Sequence, residues 1–102
     1  MTREQAMPAL ADCRKAIDDV DLRILALLNE RTQIVVEIGR IKRAVQLPIY
    51  EPKREDEVFR NVTENNPGPL THEAVRRIFE RVIDEMRVVQ RTRMEAATEH
   101  ER

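Results

Sequence analysis

Residues 8–45 read PALADCRKAIDDVDLRILALLNERTQIVVEIGRIKRAV, and the architecture follows from their spacing. Apolar residues recur at Cys13, Ile17, Val20, Ile24, Leu27, Ile34, Ile38, Ile41 and Val45, almost always in steps of three or four. That period lines them up on one side of an α-helix. Pro8 can open such a helix in its first turn, and no proline follows until Pro48. The spacing predicts a helix over 8–45, roughly 55 Å long at the α-helical rise per residue. Gly39 inside it costs up to about 1 kcal/mol and does not end it.

Prolines punctuate the rest. Pro48 and Pro52 make 47–52 a loop, because neither can continue a helix. Pro52 suits the first position of a second helix, with Val58, Phe59 and Val62 on its apolar side and an end near Glu64. The run Asn65-Asn66-Pro67-Gly68-Pro69 is a break. Thr71 is an N-cap candidate for a third helix, with Glu73 in its first turn and Leu70 and Val75 at the spacing of a hydrophobic staple. Its stripe runs through Ile78, Phe79, Val82, Ile83, Met86 and Val89. From Arg91 the chain is charged and expected to fray, giving a core of about 8–94 and a tail of about 95–102.

The composition agrees with an all-α protein. The 102 residues make one domain, 41% hydrophobic and 36% charged with only two glycines. A formal charge of -1 gives no general attraction to nucleic acid or an anionic membrane. A single cysteine, Cys13, rules out an internal disulfide, fits a reducing compartment, and is expected to be buried as a small apolar group. No apolar signal core or membrane-length stretch is present, so the chain reads as cytoplasmic. His72 and His100 have no ligand partners at metal spacing and are expected at the surface. No metal or cofactor is expected.

A first helix of this length needs cover along its whole stripe. A chain this short buries only about two-thirds of its unfolded surface, and the two later helices, on short links, fold back over only part of the first. A second copy of the same helix, in a twofold dimer, is the economical cover.

Candidate chemistry lies where polar residues interrupt these stripes. Arg31 falls among Leu27, Leu28, Ile34 and Val35, and Lys42 follows it only ~20° away around the helix and ~16 Å along it. Two long cationic side chains so placed can converge on one small anion. Arg14 lies ~42 Å from Lys42 along the helix and ~25 Å from Arg31. It reaches a shared ligand only from the partner of an antiparallel pair. Gln90 is a neutral amide aligned with Phe79 and Ile83, and Arg54 and Glu55 start the second helix, where the loop can close over a pocket. Taken singly, each has an ordinary explanation: a snorkelling cation, a core amide, first-turn charges, and simple packing for Met86.

As an ordered set they carry more. Arg14-x2-Ile17-Asp18-x2-Asp21-x3-Leu25-x2-Leu28-x2-Arg31, then Ile38-Gly39-x2-Lys42, then Pro48-Ile49-Tyr50-Glu51-Pro52-Lys53-Arg54-Glu55 and Gln90 resemble the helical chorismate mutases over about residues 10–94. The resemblance implies a three-helix subunit with a long first helix, intertwined as a homodimeric bundle with two shared sites. It implies an isomerase that converts chorismate to prephenate in aromatic amino acid biosynthesis. Arg31 and the partner copy's Arg14 would clamp the substrate carboxylates, and Lys42 and Gln90 would donate to the ether oxygen. Glu55 would accept from the ring hydroxyl, and Arg54, with the backbone near Glu51, would position the loop. Some members carry Ser where this chain has Met86, and Asp where it has Glu51. Two other readings share the pattern: an isochorismate pyruvate lyase, which Glu55 disfavours, and a non-catalytic helical dimer that regulates a shikimate-pathway enzyme.

Overall fold

The computed structural model describes the backbone of residues 1–100 and the side chains of residues 1–96. Three helices follow one another: α1 Arg3–Ala44, α2 Pro52–Glu64 and α3 His72–His100. The all-α reading holds. The side chain of His100, expected at the surface, lies outside the described residues.

The chain divides into two compact units, Met1–Gln33 and Ile34–Arg102. In the first, α1 begins five residues before Pro8, which sits inside the helix. The start is a capping box: Thr2 Oγ1 accepts from Gln5 N at 3.1 Å, and Gln5 Oε1 accepts from Thr2 N at 3.0 Å. So near the N-terminus Pro8 removes one intrahelical donor without stopping the helix. Within this chain the unit's apolar stripe is uncovered, with Ile17 58%, Ile24 49% and Leu27 63% exposed. Cys13 is exposed as well, against the expectation of burial, because no element of its own unit packs over it.

The second unit holds the core, made of Val35, Phe59, Val75, Ile83 and Met86. Here α2 packs on α3. Phe59 is buried and the guanidinium of Arg76 lies 4.3 Å from its ring centroid. Burying a side chain of that size stabilises the pairing by about 2 kcal/mol. α2 spans the residues that its flanking prolines predict. Thr71 caps α3, its Oγ1 accepting from Ala74 N at 3.1 Å. Val75 is buried, but Leu70, its expected staple partner, is 53% exposed. α3 runs on to His100 instead of fraying at Arg91. Arg91, Arg93, Met94, Glu95 and Ala96 are good helix formers, and their propensity favours continuation of the helix.

Candidate active site

The end of α1 shapes the site. Leu47 N donates to Lys42 O at 2.8 Å and Gln46 N to Arg43 O at 3.3 Å, with Gln46 at φ 60. These are the two bonds of a Schellman stop, which ordinarily places glycine at the left-handed residue. The reversal brings 49–51 back to the last turn of α1. There the ammonium of Lys42, only 9% exposed, donates to Ile49 O at 3.1 Å and is ion-paired with Glu51. A buried cation is tolerated when it is paired and hydrogen-bonded in this way. An ammonium has three donors, and these contacts account for two.

Gln90, on α3, is 8% exposed, and its Nε2 donates to Val35 O at 3.3 Å. Gly39 of α1 faces it: a Cβ there would stand 3.6 Å from Gln90 Cγ, an ordinary contact distance. Met86, one turn earlier on α3, is buried too. A recess of about 180 Å³ opens beside Gln90 and Gly39, with Arg40, Arg43 and Arg93 in its lining. Arg40 also hydrogen-bonds Glu37, at 2.6 and 3.0 Å. That bond holds the Glu37 carboxyl below its ordinary range and raises Arg40.

Glu55, in the first turn of α2, meets a residue that sequence reasoning passes over. Arg87 of α3 donates from NH2 to Glu55 Oε1 at 3.3 Å. Its Nε lies 3.2 Å from Oε2, a charge contact too bent to be a hydrogen bond. Arg87 NH2 also reaches Asp84 at 3.0 Å, and the Tyr50 ring lies 5.8 Å from its guanidinium carbon. Arg87 reads in the sequence as one more exposed helix charge, and only the packing of α2 on α3 singles it out. Arg54 is exposed and pairs with Glu57 at 3.2 Å.

Lys42, Glu51, Glu55, Met86 and Gln90 thus all lie in the second unit, with Arg54 at its surface. Arg14 and Arg31 belong to the first, Arg14 exposed and Arg31 half-buried.

Residues 13–91 match the family model described as chorismate mutase type II. The chain belongs to that family. Among solved structures, a chorismate mutase of Thermus thermophilus superposes with a TM-score of 0.80 at 37% identity, over 81% of this chain and 94% of that one. A chorismate mutase of Helicobacter pylori, solved in complex with prephenate, gives a TM-score of 0.81 at 28% identity, over 86% and 96%. A bifunctional chorismate mutase/prephenate dehydratase of Neisseria gonorrhoeae is 44% identical over 76% of this chain. The chain spans about a fifth of the length of such curated relatives, 21% in that case. These likenesses make the three helices those of a chorismate mutase domain.

Proposed function

We propose that this chorismate mutase domain rearranges chorismate to prephenate, in sites that two copies of the chain build together. The observation that carries the proposal is the burial of a cation and a neutral amide, Lys42 and Gln90, among the apolar residues of one packed unit. The rearrangement breaks the ether C–O bond as a C–C bond forms, within one molecule and with no proton transferred. Such a reaction has no use for a nucleophile or a general base. It gains from being held in a chair-like conformation and from donors aimed at the oxygen on which negative charge grows.

Lys42 has a donor beyond those used by Ile49 and Glu51, and the Gln90 amide has two N–H groups, of which Val35 takes one. Both serve the ether oxygen. Arg31 and the partner copy's Arg14 hold the two carboxylates, which planar guanidinium forks bind in bidentate fashion. Glu55 accepts from the ring hydroxyl, and Arg54, with the backbone near Glu51, orders the loop. Met86 presents an apolar wall where some members have a hydroxyl. The exposed stripe of Met1–Gln33 supports a dimer, since a second copy of α1 would remove it from water. A cytoplasmic setting fits a chain in which no described helix is long and apolar enough to cross a membrane. A shikimate-pathway enzyme is a natural partner, as in relatives that carry a prephenate dehydratase.

The test supplies chorismate and isochorismate separately to the purified protein and identifies the products by NMR. Prephenate from chorismate is expected. Salicylate and pyruvate from isochorismate, without prephenate from chorismate, would make the protein a lyase.

A further inference from the structure

Arg87 has no part in the reaction as described above, yet it is bound more fully than a surface arginine needs to be. Its guanidinium meets Glu55 at two points, 3.3 and 3.2 Å, and Asp84 at 3.0 Å. The Glu55 side chain is only 20% exposed, so the contact is sheltered from solvent on the carboxylate side. From the geometry we infer that Arg87 is a positioning residue that holds the Glu55 carboxylate where it accepts from the substrate's ring hydroxyl. This inference rests on the role of Glu55 proposed above.

A glutamate carries several rotatable bonds, and fixing them costs entropy at the moment of binding unless the side chain is already held. Arg87 holds it beforehand. A carboxylate has two oxygens with about four lone-pair directions, so two contacts from Arg87 leave others for a hydroxyl. Asp84 and the Tyr50 ring in turn keep the guanidinium from swinging away. An ammonium in its place would lack the second, charge contact that Nε makes with Glu55 Oε2.

The experiment measures kcat/KM for chorismate with Arg87→Met, Arg87→Lys, Glu55→Ala and the double variant Arg87→Met/Glu55→Ala, folding being checked by circular dichroism. Arg87→Met should lose roughly tenfold, the scale of a charge-assisted hydrogen bond, and Arg87→Lys should regain part of that. In the Glu55→Ala background Arg87→Met should change little, because its target is gone. With a chorismate analogue lacking the ring hydroxyl, the Arg87→Met loss should vanish. Wild-type kcat/KM in Arg87→Met, additive losses in the double variant, or an undiminished loss on the analogue would each overturn the inference. A Glu55→Ala variant with wild-type kcat/KM would overturn instead the reading of Glu55 beneath it.

Discussion

The ammonium of Lys42 and the carboxylate of Glu51 form an ion pair across the turn that joins α1 to α2, with the cation buried and the anion 47% exposed. The pair fixes the loop against the end of α1 and offsets the cost of burying the charge. Breaking a fully buried pair costs several kcal/mol, but the exposure of Glu51 reduces this to about 1 kcal/mol for Glu51→Ala. Glu51→Asp should keep most of the stability. Urea denaturation checks both, and a Glu51→Ala midpoint equal to wild type would show that the pair contributes nothing.

Gln46 occupies the left-handed position of the Schellman stop without being glycine. Gln46→Gly should therefore raise stability by about 0.5–1 kcal/mol, with activity unchanged, because the conformation that aims Ile49 and Glu51 at Lys42 is relieved of strain. A lower melting temperature for this variant would contradict the assignment.

Gly39 is a second backbone test. An added methyl meets Gln90 Cγ at 3.6 Å, an ordinary contact distance. Gly39→Ala should gain up to about 1 kcal/mol of helix propensity with Gln90 in place. Gly39→Leu, whose branches reach past the Cβ, should displace Gln90 and lose activity to the degree that Gln90→Ala does. Equal activity in Gly39→Leu and wild type would free Gln90 from the role proposed for it.

The helices are legible because prolines and threonine act locally. Pro52 and the 65–69 break set α2, and Thr71 sets the start of α3, in both the sequence and the structure. The start of α1 is harder to read, because Pro8 looks like an opening residue while the Thr2–Gln5 box lies before it. The two bonds of that box outweigh one absent donor. The end of α3 escapes a reading in which charge stands for disorder, since helix propensity prevails there. Lys42 and Gln90 stand out as polar residues at apolar positions. Arg87 does not, since its partner Glu55 lies on another helix and no periodicity links them. The exposure of Cys13 has a related cause: a stripe identifies what needs cover, not what supplies it.

Gln90→Glu separates donation from shape. The ionised carboxylate has the outline of the amide but only accepts hydrogen bonds. At neutral pH it should be nearly inactive, and activity should rise as pH falls, because protonation restores a donor toward the ether oxygen. The wild type should show no such acid-favoured rise. A variant matching wild type at every pH would place Gln90 away from the reacting oxygen.

Shared sites give the most direct test, since catalysis and assembly must both hold. Arg14→Ala and Lys42→Ala should each be nearly inactive as pure proteins. Mixed in equal amounts, unfolded and refolded together, they should form heterodimers that carry both defects in one site and leave the other intact. Random pairing into twofold dimers then restores about a quarter of wild-type activity, measured as prephenate formed from chorismate. Sedimentation should show one species near twice 12.0 kDa throughout. Heterodimers that form but recover no activity would mean that each chain builds its own site, and a fully active monomer would contradict the shared site altogether.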